Sequence, residues 1–231
     1  MKMQRFIAGL LGLVASASVY GGEFSFVDVD GPACEQMNGS TVCLTLLYSG
    51  LITKGDNQKL ISEMKRSTQI IEESILSSVG GRPGARVGKI FFNSPGGDLF
   101  EAMKVGQTIR DNLIVTQVPS NSSCYSSCVI AYLGGVFRVP VGRVGVHSFY
   151  SKDLVGPAEY ASASKRYDAV SAEVEAYLKA MRIPTTFLDE MKNTPHYSVK
   201  VLEFEEMRRL GVAGIDPVYA QVRQSSRDKP K

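Results

Sequence analysis

Two histidines in 231 residues, and four cysteines with no Cys-x-x-Cys pair, leave no ligand set at metal-binding spacing. Charge of one sign is also scarce. A net charge of +3 is too weak to argue for a nucleic-acid or membrane-surface partner. No unit repeats at a fixed period and no tract is of low complexity, which excludes solenoids and biased linkers. The turn Ser94-Pro95-Gly96-Gly97 lacks the glycine spacing and following lysine of a phosphate loop. No cofactor is expected. What remains is ordinary globular composition, 44% hydrophobic and 21% charged, long enough for one large domain or two small ones.

The first 17 residues read as a secretory signal. Lys2 and Arg5 form a basic start, the apolar run from Phe6 is too short to span a bilayer comfortably, and Ala15-Ser16-Ala17 fits a small-x-small cleavage site. An uncleaved anchor or a buried first strand is the other reading. Cleavage leaves 24 basic against 23 acidic residues, a net charge of +1, and no expected membrane span. The expected product is periplasmic or secreted, with one domain over residues 18–220 and a polar, frayed tail over 221–231. In an oxidising compartment an even cysteine count suggests disulfides. Cys34 and Cys43 flank a turn-forming Asn-Gly and are one candidate pair. Cys124 and Cys128, four apart, are the other; two small buried side chains at a packing site is the equal alternative.

Strand and helix patterns alternate along the chain. Residues 23–30, 41–50, 86–94, 113–118 and 143–149 read as strands. Helical spacing of apolar residues marks 56–78, 99–109, the run after Cys128, and a long helix carrying Tyr167, Val170, Val174, Tyr177, Leu178 and Met181. Pro184 suits the first turn of a further helix, and a last one ends near Gly211. Strand-turn-helix units in series predict an α/β fold with a mainly parallel sheet built of repeated βαβ units. In such sheets ligands gather where strand C-terminal ends meet helix starts. Two turns fall at that kind of place: Asn93-Ser94-Pro95-Gly96-Gly97 and Asn121 to Cys128.

These two turns, followed by a strand ending in His147, resemble in kind and order the Clp protease proteolytic subunit and the wider Clp/crotonase fold. The likeness is closer still to exported bacterial Clp-like proteins carrying Cys-x-Ser-x-Cys, here Cys124 to Cys128 around Ser126. It covers about Ile90 to Phe149 well, and the rest by element order. The resemblance implies that Ser126, nine residues before Gly135, is a nucleophile and that His147, 21 positions on, is its general base. It also implies that Gly97 and the Ser127 amide form an oxyanion hole. The chemistry is apt: a hydroxyl needs a base to lose its proton, and neutral imidazole suits that near pH 7. A serine at a helix start aims free amides at a developing oxyanion. Ser122, Ser123 and Ser127 read as capping or turn residues, and a serine opening a helix is ordinarily only a cap.

A triad needs a third group to orient the histidine. The family's aspartate precedes its last helix, and here none falls at that place, near Val199. Asp189 comes too early. Asn193 is the candidate orienter and His196 reads as an exposed loop residue; a dyad, or a backbone carbonyl in that role, is the alternative. The fold also hosts Ser–Lys peptidases, for which Lys152 and Lys165 are the nearest lysines in sequence, ranked below Ser–His. Crotonase-type thioester chemistry is set aside, because an exported protein does not ordinarily meet coenzyme A, and a redox pair at Cys124 and Cys128 is disfavoured by its three intervening residues. The expectation is thus an exported serine peptidase acting on peptide or protein, with a homo-oligomer compatible with family habit. The alternative is a non-catalytic relative that binds peptides or a partner.

Overall fold

The computed structural model describes residues 21–27, 41–75, 84–149 and 160–227. The signal segment, Cys34 and Lys152 lie outside them, and of Cys43 only its place in a strand is described. Nine strands and seven helices are formed by the described residues. A six-stranded sheet has the order β1 (Glu23–Val27), β2 (Thr41–Ser49), β3 (Gly84–Asn93), β4 (Val115–Val118), β6 (Phe137–Pro140) and β9 (Gly214–Ile215). Its four central strands run parallel, and β1 and β9 close the two edges antiparallel.

Crossover helices follow from the sequence pattern. Helix α1 (Asp56–Ile75) joins β2 to β3, and α2 (Leu99–Asp111) joins β3 to β4. Ala102, Val105 and Ile109 bury the inner face of α2, while Asp98 caps it by accepting from the Glu101 amide at 2.8 Å. The result is the α/β architecture with a mainly parallel sheet and serial βαβ units that the strand-helix alternation predicts.

A second, three-stranded sheet lies next in the chain. Its order is β5 (Ser123–Tyr125), β7 (Arg143–Val146), β8 (Lys200–Val201), with β5 parallel and β8 antiparallel to β7. Between β5 and β6 runs α3 (Ser127–Tyr132), every residue of which is buried. Helices α4 (Tyr160–Ala180), α5 (Thr186–Asn193), α6 (Phe204–Arg209) and α7 (Pro217–Arg227) complete the chain. None of the described helices is long and apolar enough to cross a membrane.

The core explains why α3 stays put. Aromatic rings of Phe24, Tyr48, Phe92 and Tyr132 follow one another across the sheet, with centroids 4.7, 5.9 and 6.2 Å apart. Each such buried side chain contributes on the order of 1.5–3 kcal/mol. Carbonyls at and just beyond the end of α3 accept from side chains of three other places. Tyr177 donates to Ile130 O at 2.7 Å, Thr116 to Tyr132 O at 2.9 Å, and Arg138 to Gly135 O at 2.8 Å and Leu133 O at 3.3 Å. Burial, with Arg110 nearby, lowers the Arg138 guanidinium to about 10, so it stays charged near neutrality and binds the carbonyls as a cation.

Several segments differ from the sequence reading. Residues 123–125 and 137–140, read as turn and loop, are short strands, because β3, β4 and β7 offer them edges to pair with. The polar segment from Gln221 is not frayed along its whole length but helical as far as Arg227. Pro217 starts that helix without wasting a donor, and the Asp216 carboxylate accepts from the Val218 and Tyr219 amides at 3.0 and 3.1 Å.

Candidate active site

The end of β3 is stitched to the start of β5. The Ser94 amide donates to Ser123 O at 2.8 Å, and Tyr125 returns a bond to Ser94 O at 3.0 Å. The glycine turn that follows is clamped from the other side by Ile52. Its amide donates to Gly96 O at 2.8 Å, and its carbonyl accepts from the Asp98 amide at 2.9 Å. Gly97 lies between those two bonds with φ 144°, and a Cβ there would stand 2.2 Å from Ile52 O. Only glycine fits this position. The Gly96 amide is taken by Ser94 Oγ at 3.1 Å, whereas the Gly97 amide has no partner among the described residues.

Ser126 forms the corner between β5 and α3. Its backbone is at φ 58°, ψ −130°, a region that side-chain-bearing residues rarely occupy. Its amide donates to Gly145 O at 3.0 Å, and its carbonyl accepts from Val129 at 3.0 Å. The side chain caps nothing and makes no hydrogen bond with a described residue, so Ser126 is not an ordinary N-cap. Gly96 gives it room, since a Cβ on Gly96 would lie 2.8 Å from the Ser126 Cβ. The Ser127 amide, like that of Gly97, has no partner among the described residues, and the buried Ser127 Oγ is unpaired. Helix α3 has only six residues, so individual amides, rather than a long helix dipole, are the electropositive feature here. Cys124 and Cys128, both fully buried, are joined by a disulfide around this corner.

His147 lies one residue beyond β7. Tyr125 pairs with Gly145, so the serine and histidine follow adjacent parallel strand ends. No hydrogen bond joins the Ser126 hydroxyl to the imidazole. His147 Nδ1 lies 2.7 Å from Ser148 O. A carbonyl can only accept, so Nδ1 carries the proton and a neutral ring offers Nε2 as acceptor. Ser148 is held in turn by its amide bond to Thr194 O at 2.7 Å.

The antiparallel register pairs Gly145 with Val201 and Val146 with Lys200, and the next step of that register sets Val199 against His147. Asn193 ends α5 with its side chain exposed and makes no hydrogen bond to His147; Asp189, His196 and Lys165 are exposed as well. Sequence reasoning placed Ser94 in this turn but missed its bond to the Gly96 amide, and it missed Ile52 altogether. A serine two residues before Gly96 was a legible turn signal; the Ile52 contact has no local signature. Among the described residues no cluster of three His, Cys, Asp or Glu is placed to hold a metal ion.

No family model matches the chain, and neither does any curated protein. Solved structures do. One is a serine-to-alanine mutant of the 1510-N membrane-bound stomatin-specific protease, 17% identical at a TM-score of 0.44, covering 80% of this chain and 83% of that one. Another is a lysine-to-alanine mutant of that protease in complex with a substrate peptide, 18% identical at a TM-score of 0.44, covering 75% and 72%.

Proposed function

We propose that the chain is an exported serine hydrolase of the Clp/crotonase-like fold, working in the periplasm or outside the cell and cleaving peptide bonds. The observation that carries this reading is the Ser126 corner. A serine in a strained backbone conformation stands next to the strand end bearing His147, and among the described residues its hydroxyl and the two neighbouring amides of Gly97 and Ser127 have no partner. Strain of this kind costs on the order of 1–3 kcal/mol and persists where surrounding structure enforces it, which clusters at functional sites.

In the proposed mechanism Ser126 Oγ attacks the substrate carbonyl and its proton passes to His147 Nε2. The Gly97 and Ser127 amides receive the oxyanion. Loss of one such donor typically costs about 3 kcal/mol of transition-state stabilisation. The imidazolium then protonates the leaving amine, and water repeats the sequence on the acyl-enzyme. The Ser148 carbonyl fixes the tautomer in place of a carboxylate. It bears no full charge, so it stabilises the imidazolium less than an aspartate does.

A fluorophosphonate probe tests the assignment. We expect labelling of the wild type, none in Ser126→Ala, and ester turnover lowered about 10²–10⁴-fold in His147→Ala. Labelling that persists in Ser126→Ala removes Ser126 as nucleophile. A folded wild type that takes no label and hydrolyses no fluorogenic peptide favours a non-catalytic peptide binder, a reading to which Val199 beside His147 lends weight.

A further inference from the structure

We infer that the Cys124–Cys128 disulfide is a positioning device that locks Ser126 in its strained corner, and that it is neither a redox switch nor only a global brace. The functional half of this rests on the reading of Ser126 as nucleophile; the conformational half does not.

Ser126 sits at φ 58° with no side-chain bond to hold it there, so its backbone has two ordinary wells into which it can relax. In the first, β5 continues straight. Four extended steps would carry the Cα atoms of Cys124 and Cys128 to about 13 Å apart. A disulfide tolerates at most about 7 Å between Cα atoms. The observed separation is 5.3 Å, so the bond forbids this well. In the second, α3 extends backwards through Ser126. The disulfide would permit that, because residues four apart on a helix are neighbours. The strand pairing does not, because helical dihedrals at Ser126 would re-aim β5 relative to α3 and pull the Tyr125 and Ser126 amides off Ser94 O and Gly145 O, which each bonds at 3.0 Å. Covalent link and strand pairing together leave only the observed corner. Both cysteines are 0% exposed, so a thiol in solution has no line of attack on the bond in the folded protein.

The test compares the mature wild type with Cys124→Ala/Cys128→Ala, which leaves no free thiol at the corner. The first readout, amide hydrogen exchange, needs no activity. Exchange at Ser126 and Val129 should speed by about tenfold or more, with the Asp216 amide, bonded to Val136 O outside the corner, unchanged. The second is the fluorophosphonate labelling rate well below the melting temperature, expected to fall by about tenfold or more, with ester kcat falling and KM holding. Unchanged exchange at Ser126 overturns the inference whatever the activity. Faster exchange with an unchanged labelling rate overturns the positioning role. A wild type that takes no label defeats the reading of Ser126 and leaves the exchange result to decide the lock. Cys124→Ser/Cys128→Ser, closer in size, replaces the alanine pair if that does not fold. If neither pair folds, the disulfide is a global brace and the inference fails.

Discussion

At Ser126 one residue carries both a chemical group and a conformational cost. Replacing it separates the two. Alanine and glycine both remove the hydroxyl, but only glycine occupies φ 58° without penalty. We expect Ser126→Gly to be more stable than Ser126→Ala by about 1 kcal/mol in urea unfolding, against the ordinary preference for alanine. Equal stability of the two would mean that the corner is not strained. Gly97 makes the complementary point. Its backbone is pinned between two bonds to Ile52, so it holds an amide in place by having no side chain. Both turns were legible because their signals are local: a Pro-Gly-Gly after a β-branched and aromatic strand, and a serine-cysteine cluster before an apolar run. The group against His147 Nδ1 was legible only in kind. Asn193 is the side-chain candidate and a backbone carbonyl the alternative; the contact found is the Ser148 carbonyl, a group that every residue has.

Among the elements, α3 shows how a six-residue helix is made rigid by what it borrows. Tyr177, Thr116 and Arg138 satisfy its last carbonyls from α4, β4 and β6. Its apolar run was readable in sequence. Its anchors were not, since they come from positions as much as 47 residues away. The same holds for β5 and β6, three and four residues long, whose pairing is decided by neighbouring strands rather than propensity. At the far end of the chain Asp216 plays a comparable part. It is 3% exposed at its side chain, pairs with Arg110 at 3.0 Å, and caps α7. Asp216→Ala should cost about 3–5 kcal/mol in denaturant unfolding, because it strands the Arg110 charge in a largely buried place. The double variant Arg110→Met/Asp216→Leu should recover part of that loss. No recovery would place the whole effect in the lost cap.

For the whole molecule, the alternation of strands and helices was enough to predict a parallel sheet, because βαβ order leaves few other packings. Residue order alone could not show that Ser126 and His147 follow strands of a second, smaller sheet while the Gly97 turn follows β3 of the main one. Export is the prediction that belongs to this scale. Expressed from its full sequence in a bacterium, the protein should be recovered beginning at Ser18, which intact-mass measurement reads directly. A mass retaining Met1 to Ala17 would remove the cleaved-signal reading and leave the uncleaved anchor or a buried first strand.

The main-chain hold on His147 has a consequence for heredity as much as for chemistry. Ser148 O receives Nδ1 and the Ser148 amide is moored to Thr194 O, so no substitution at Ser148 can delete the carbonyl and only proline can delete the amide donor. An alanine scan would pass over this support without a signal. Only insertions or deletions that shift one stretch of backbone against the other would expose it.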